Sequence, residues 1–488
     1  MAAELVALVK HDCPVCDQLL PVLDSAGVRV LSQSSADDTR AQAERLGLSA
    51  VPELDEGLEL SARLDPDAVP ALVLLDGESE RGRVEGIHTE RLAKLAADAG
   101  VELSLDGLPE QRPGCASLTR DPAVAERIAA RAARRGGRIR ARELELGGLE
   151  DPHEALFQRG VTDGLPVVPP TPERVVRMLE HTGRDPQEVV GVVPPYDGEA
   201  TVEKVAINAV MAGCPPEALP VVLAAVEAAL EPEFALHGLI ATTHPAGPTV
   251  IVSGPYAREI GMNFAGNCLG QGNRANLTIG RALQLTVRNV GGGRPREEDR
   301  SAHGQPGKLS SCFAEDVEGS PFEPMSAEHG VPAGETGVTV MATEAPRLIM
   351  DQVAREPDGL CASLALALES VCTPKQRLAF DALLVIGPEH GRVFREARWS
   401  RAQVRERLHE LTHSRAGDLV RGAGGSPEGI DPQWVSDPEM QVAKFAAADR
   451  IRIAYAGGDA GLFSMVYGSW AAGEIGSQPV TKAVTPWM

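Results

Sequence analysis

The stretch "LVKHDCPVCDQLLPVLDSAGV", residues 8–28, sets two cysteines two residues apart, between an apolar run and a segment of helical spacing. The run "ELVALVK" (4–10) has the length and composition of a buried strand, and "DQLLPVLDSAG" keeps its apolar residues on one helical face until Gly27. Cys13 and Cys16 therefore stand at a helix start, where unpaired amides and the helix dipole favour a thiolate. Cys16, one turn on, can resolve a mixed disulfide formed at Cys13. The pair can also be read as half of a zinc site or as a packing feature. A zinc ribbon needs a second C-x-x-C, which the sequence lacks, so the spacing favours redox chemistry.

Working outward, "VRVLSQ" reads as a strand, "ADDTRAQAERLG" as a helix closed by Gly47, and "PALVLLDG" with "RGRVEG" as a hairpin; "HTERLAKLAADAG" is a closing helix. In this order CPVC lies between the first strand and its helix, and Val69-Pro70 in "DAVPAL" precedes the third strand. On these residues the segment 1–102 resembles the thioredoxin and glutaredoxin superfamily. The resemblance implies a thioredoxin-like domain with Pro70 as a supporting cis-proline, a redox-active Cys13–Cys16 disulfide, and a cellular thiol reductant or reductase as partner. His11-Asp12 stands where thioredoxins carry a tryptophan, and Asp12 and Asp17 are expected to oppose thiolate formation.

A chain of 488 residues is long enough for two to four domains. With 43% hydrophobic and 24% charged residues it falls in the soluble globular class. A net charge of -22 spread along the chain would repel a phosphate backbone, which argues against nucleic acid as a partner. The start lacks a basic n-region and no apolar run reaches the roughly 18 residues of a bilayer span, so no membrane association and a cytoplasmic location are expected. In that compartment the eight cysteines should be mostly reduced.

Residues 103–160 read as a connecting region: a turn-rich stretch, then an Arg-rich helix and strand within "AVAERIAARAARRGGRIRARELELGG". Cys115, in "RPGCAS", is expected in a flexible loop, as a relay thiol or an incidental surface cysteine. Residues 161–488 alternate helix and strand, which argues a larger α/β domain with a parallel or mixed sheet. "TVEKVAINAVMAGC", "EALPVVLAAVEAALE", "LTIGRALQLTVRNVGGG" and "SRAQVRERLHELTH" read as helices; "HGLIATTHP", "GPTVIVSGP", "TGVTVMATE", "FDALLVIGPEH" and "RIRIAYAGGDAG" read as strands.

Ligands of such sheets gather at strand ends. The ends here deliver Thr242, Thr243 and His244; Ser253 and Arg258; Glu389, His390 and Arg392; and Gly457, Gly458 and Asp459. In "GMNFAGNCLGQGNRANLTIGRALQ" (261–284), glycines precede Asn273, Arg274, Asn276 and Thr278 at a helix start, a pattern suited either to a carboxylate or phosphate or to an elaborate capped loop. The loop 303–324 adds Lys308, Cys312, Glu315, Glu318 and Glu323. Cys214 and Cys312 are the candidates for a second thiol centre, Cys268 is ambiguous, and Cys361 and Cys372, eleven apart, are expected on one buried helix face. The segments "TDGLPVVPPTPERVVRMLEHTGR", "VEKVAINAVMAGC", "GNRANLTIGRA" and "GPEH" resemble an uncharacterised bacterial family. That resemblance implies cysteine- or selenocysteine-containing partner proteins reminiscent of the glycine reductase selenoprotein.

The combined reading is a thiol-dependent oxidoreductase, expected as a homo-oligomer. Its CPVC domain passes reducing equivalents to a C-terminal domain that acts on a small anionic substrate, through Cys214 or Cys312 with His244 or His390 as acid/base groups. One alternative is a metal-dependent lyase or hydrolase with His244, His390, Glu389 and Cys312 as ligands. Another is a non-enzymatic, thiol-linked adaptor.

Overall fold

Leu5 to Val9 are buried without interruption, as are Ala71 to Leu75, and these two runs lie side by side as the central strands of the first sheet. A computed structural model describes residues 3–332, 334–419, 432–473 and 476–488. The chain divides into two units, Met1–Gly137 and Arg138–Met488. In the first unit the chain runs β1 (Glu4–Val9), α1 (Pro14–Ser25), β2 (Arg29–Ser32), α2 (Ala36–Leu46), β3 (Glu53–Leu54), α3 (Glu59–Leu64), β4 (Ala68–Val69) and β5 (Ala71–Asp76). It continues through β6 (Ser79–Glu85), β7 (Ile87–His88), α4 (Thr89–Asp98), β8 (Gln111–Arg112), β9 (Cys115–Ala116) and α5 (Pro122–Arg135).

The main sheet has the order β3-β2-β1-β5-β6, parallel from β3 to β1 and antiparallel from β1 to β6. Helix α1 begins where the sequence places it. Cys13 is its N-cap and Pro14 fills the first turn, where a missing amide costs nothing. Its inner face, Val15, Cys16, Leu19, Leu20 and Leu23, enters the core beneath the sheet's apolar runs.

The unit does not stop at residue 102. Strand β9 pairs antiparallel with β4, matching Ala68 to Ala116 and Val69 to Cys115, and β8 pairs with β7. A buried amide ties this segment down: Gln33 Nε2 donates to Ser61 Oγ and Ser117 Oγ, both at 2.9 Å, and Gln33 Oε1 accepts from the Leu118 amide at 3.0 Å. Cys115 is thus held in a strand, not carried on a free loop. The Arg-rich helix is α5, whereas the strand expected in "RIRARELELGG" is not formed.

In the second unit come α6 (Pro152–Gln158), α7 (Pro172–Leu179), β10 (Val189–Val193), β11 (Gly198–Thr201), α8 (Val202–Ala212), α9 (Leu219–Leu230), α10 (Leu236–Ala241), β12 (Gly247–Ser253), α11 (Pro255–Glu259) and α12 (Arg274–Thr286). Then follow β13 (Cys312–Ala314), β14 (Gly337–Thr343), β15 (Arg347–Met350), α13 (Pro357–Glu369), β16 (Phe380–Ile386), α14 (Pro388–Ala397) and α15 (Arg401–Leu411). The hairpin of β17 (His413–Arg415) and β18 (Gln441–Ala443) brackets α16 (Ala416–Leu419) and α17 (Pro432–Ser436), and β19 (Ile451–Tyr455), β20 (Phe463–Ala471) and β21 (Val480–Ala483) close the unit.

Its large sheet runs β13-β12-β14-β20-β16-β19, with β15 on β20 and β21 on β14. Among the described residues only β12/β13 and β16/β19 are parallel in it, so the sheet is mixed. Helix α9 is apolar on nearly every side because it is buried between the sheet strands β14 and β21 and the helices α8 and α12.

Two expectations of secondary structure fail in this unit. "HGLIATTHP" forms α10 and a turn instead of a strand; a short apolar run carries no decisive period, and Gly238 lets the Trp470 ring lie where a Cβ would come within 2.6 Å of it. Cys361 lies in α13, but Cys372 does not, because the helix ends at Glu369 and Cys372 takes a left-handed φ of 56°. The ending is fixed by Lys444, whose buried ammonium donates to the carbonyls of Val371, Thr373 and Gln376, each at 2.8 Å.

The Gln33 contacts give a direct test of where the first unit ends. Gln33→Leu leaves the half-buried Leu118 amide without its acceptor and takes a donor from the Ser61 and Ser117 hydroxyls, and should lower the unit's unfolding free energy by about 1–3 kcal/mol in urea titration. It should also speed alkylation of Cys115. Unchanged stability and an unchanged Cys115 rate would detach residues 103–137 from this unit.

Candidate functional site

The first unit brings three thiols together. Cys13 Sγ accepts the Cys16 amide at 3.1 Å as the helix cap, and in its protonated form donates to the Val69 carbonyl at 3.4 Å. The Val69–Pro70 peptide bond is cis. Because Val69 in β4 is paired with Cys115 in β9, the two short strands together present the Val69 carbonyl and the third cysteine to Cys13. Hydrogen bonding from the Cys16 side chain is the largest influence on Cys13; together with a bond from Cys115 and backbone amides it outweighs burial and brings the thiol from 9.0 down to about 6. Cys16 moves the other way, driven up by burial and then by the neighbouring Cys13. Burial followed by the Cys13 contact also raises Cys115.

The expected opposition from Asp12 and Asp17 is neutralised locally. Asp17 is gripped by Arg45 at 2.9 and 3.0 Å and by Gln42 Nε2 at 2.8 Å; burial acts against its charge, but these bonds outweigh it and hold the carboxyl low. Asp12 pairs with Lys10 at 3.4 Å and projects into solvent. Accessibility differs across the group: Cys13 is only 1% exposed, whereas Cys115 is partly exposed. The outermost sulfur of the group is therefore Cys115.

In the second unit the residues expected to bind an anion each bond to other groups of the chain. Asn273 Nδ2 donates to the carbonyls of Asn267 and Gly270, and Asn276 Nδ2 to those of Asn263 and Cys268. Arg274 Nε donates to the Gly213 carbonyl at 3.0 Å, and Thr278 Oγ1 to that of Arg274 at 2.7 Å. Lys308 is paired with Asp299 at 2.9 Å and Ser301 at 2.7 Å. These contacts follow the capped-loop alternative, because each donor found a carbonyl, hydroxyl or carboxylate of the chain itself.

The second-centre thiols are buried. Burial pushes Cys214 up to about 12 and drives Cys312 up as well, with the Cys214 charge adding to it. Cys268 is likewise raised by burial, to about 11. His390 is a core residue with both ring nitrogens bonded, Nδ1 with Ser464 Oγ at 2.8 Å and Nε2 with the Asp351 carbonyl at 3.1 Å, while Glu389 sits half-buried in the first turn of α14. The ligand set His244, His390, Glu389 and Cys312 is accordingly not assembled among the described residues. A cavity of about 120 Å³ does open at the ends of β16 and β19, beside Gly387, Gly457 and Gly458, but no ionisable side chain lines it.

The histidine that does enter a cluster is His244, and its companions are not those the sequence suggests. His244 Nε2 lies 3.1 Å from Glu344 Oε1, and Cys372 Sγ lies 3.4 Å from the same oxygen. Glu344 follows the end of β14, its amide bonded to the Gly468 carbonyl at 2.8 Å, and a Cβ at Gly468 would collide with Glu344 Oε2. The glycine therefore leaves the space that the carboxylate fills. His244 precedes β12 and stacks on Phe380 at 6.4 Å between ring centroids, with its Nδ1 buried and lacking a hydrogen-bond partner. The His244 hydrogen bond is the largest influence holding Glu344 ionised, while burial and then the Glu344 charge push Cys372 up to about 12.

Strand-end reasoning finds His244 even though the element before it is helical. It passes over Glu344, although that residue ends the run "TGVTVMATE" and the same argument applies to it. Helical spacing puts Cys372 on a buried face of α13, and only the Lys444 contacts explain its departure from that helix.

No protein-family model matches the chain, and no curated protein matches it in sequence. Its chemistry must be read from the two clusters themselves.

The Cys13 environment makes a measurable statement about pH. Alkylation of the fully reduced protein should show a phase lost in Cys13→Ser, with a midpoint near pH 6, and Cys16→Ser should move that midpoint upward. Since the thiolate is favoured by folding, the associated stability is complete above about pH 9 and is lost as pH falls through about 6. A Cys13 midpoint at the ordinary thiol value would contradict this account.

Proposed function

We propose that the first unit is a thiol–disulfide oxidoreductase whose nucleophile is Cys13 and whose partners in exchange are Cys16 and Cys115. The observation that carries the reading is the geometry: Cys13 caps the start of α1, accepts the Cys16 amide at 3.1 Å and faces the strand pair that holds Cys115, a setting that favours its thiolate. The order of elements, the CPVC motif at the start of α1 and the cis Val69–Pro70 bond beside it support the likeness to thioredoxins and glutaredoxins.

In the exchange, the Cys13 thiolate attacks a disulfide R–S–S–R′, forms Cys13–S–S–R and releases R′S⁻. The thiolate of Cys16 or Cys115 then attacks the Cys13 sulfur, releases RS⁻ and leaves an internal disulfide. Two electrons pass to the substrate, and a cellular dithiol restores the reduced state by the reverse exchange. Once Cys13 is bonded to R it is uncharged, and the repulsion that helps hold Cys16 protonated disappears.

Cys115 acts as a substrate cysteine carried on the same chain. Its strand adds to β4 by main-chain pairing, the mode by which an extended peptide joins an exposed sheet edge, and sets its sulfur against Cys13. Because Cys13 is almost fully covered, an external disulfide reaches it after β9 lifts away, and an external thiolate opens the resulting Cys13–Cys115 disulfide by attack at the more exposed Cys115 sulfur, releasing the Cys13 thiolate. The tether keeps Cys115 at a high effective concentration, so its exchange with Cys13 outcompetes dilute thiols.

The test is trapping. Oxidised gently, Cys16→Ser should yield a Cys13–Cys115 disulfide in peptide mapping, and Cys13→Ser should abolish reduction of a small aromatic disulfide by the chain. Full disulfide reduction by Cys13→Ser would sink the proposal, and a Cys16→Ser protein with free Cys13 and Cys115 after oxidation would remove Cys115 from it.

A further inference from the structure

We propose that His244, Glu344 and Cys372 form a zinc-class metal site in the second unit, with a fourth coordination position left for water or substrate. One ligand atom from each residue lies within 4.8 Å of the others, and among the described residues no further His, Cys, Asp or Glu joins the group. Tetrahedral zinc, with bonds of about 2.0–2.3 Å, needs neighbouring ligand atoms about 3.3–3.8 Å apart. The His244–Glu344 and Cys372–Glu344 separations, 3.1 and 3.4 Å, are already near that spacing.

The donor set is the mixture of nitrogen, oxygen and sulfur that zinc accepts, whereas magnesium and calcium select oxygen alone. Charge points the same way. The Cys372 thiol shares its proton with Glu344; a zinc ion would displace that proton, and a carboxylate and a thiolate around a divalent cation make a neutral group. His244 Nε2, the nitrogen that faces Glu344, is the ligand atom, and its hydrogen-bond partner is Glu344 itself.

The supports are independent of one another, which is how a metal site keeps its shape before the ion arrives. Glu344 is set by its bond to the Gly468 carbonyl and the room that glycine leaves. Cys372 is set by the three carbonyls that Lys444 gathers around it, and His244 by its stack on Phe380. Three protein ligands and an open position are the pattern of a catalytic rather than a structural zinc. A zinc-bound water there would serve as nucleophile or base, and a substrate carbonyl as the group polarised.

The experiment uses the full chain with Cys13, Cys16 and Cys115 all changed to Ser, so that the first unit's thiols bind no metal. Incubated with Zn²⁺ under reducing conditions and passed over a desalting column, it should retain one equivalent. Glu344→Gln and Cys372→Ser should weaken binding by more than the roughly 10–100-fold that losing an outer-shell partner costs. With Co²⁺, a sulfur-to-metal charge-transfer band should appear, survive Cys361→Ser and vanish in Cys372→Ser. Circular dichroism of Glu344→Gln, a near-isosteric change, separates loss of metal from loss of fold. No retained metal in the background chain, or equal retention in Glu344→Gln and Cys372→Ser, overturns the site.

Discussion

The pairing of Val69 with Cys115 is the constraint on which the first unit's chemistry depends. It fixes the carbonyl that faces the Cys13 sulfur, covers that sulfur from solvent, and delivers a third thiol to it in a single two-residue strand. Such a short strand has little stability of its own. Its hold comes from the Gln33 amide, two of whose hydrogen bonds join the loop after β2 to Ser117 and Leu118, just beyond Cys115, while a third reaches Ser61. The helix start supplies the electrostatics and the strand supplies the geometry, so neither alone accounts for the thiol group.

A different device serves the second unit. There the buried ammonium of Lys444 collects carbonyls that lie beyond the end of α13, and the chain is turned so that Cys372 meets Glu344. Burial lowers the Lys444 ammonium to about 8, a cost offset by those bonds to carbonyl oxygens. Residues brought together in this way come from the turn before β12, the end of β14 and the loop after α13, three places with no sequence proximity.

That difference explains what can be read in advance. Local patterns carry the first unit: the CPVC spacing, the apolar runs of β1 and β5, and Gly27 and Gly47 at helix ends all describe short-range geometry. The same is true of the Ser400 cap of α15, which forms the full capping box with Gln403. Long-range choices are not legible. Nothing local shows that Asn273 and Asn276 spend their donors on neighbouring carbonyls, that both nitrogens of His390 are taken in the core, or that Asp17 is neutralised by Arg45. Cys115 stands out by its residue type, but its strand partner lies 46 positions away by number, beyond any periodicity argument.

The placement of Gln33 has a practical consequence for dividing the chain. A fragment cut at residue 102 would leave Val69 as a bare sheet edge, open to pairing with other molecules, and would lay the Cys13 sulfur open to oxidants. A fragment carried to Gly137 keeps the covering strand, so the two pieces would report on different thiols under the same name.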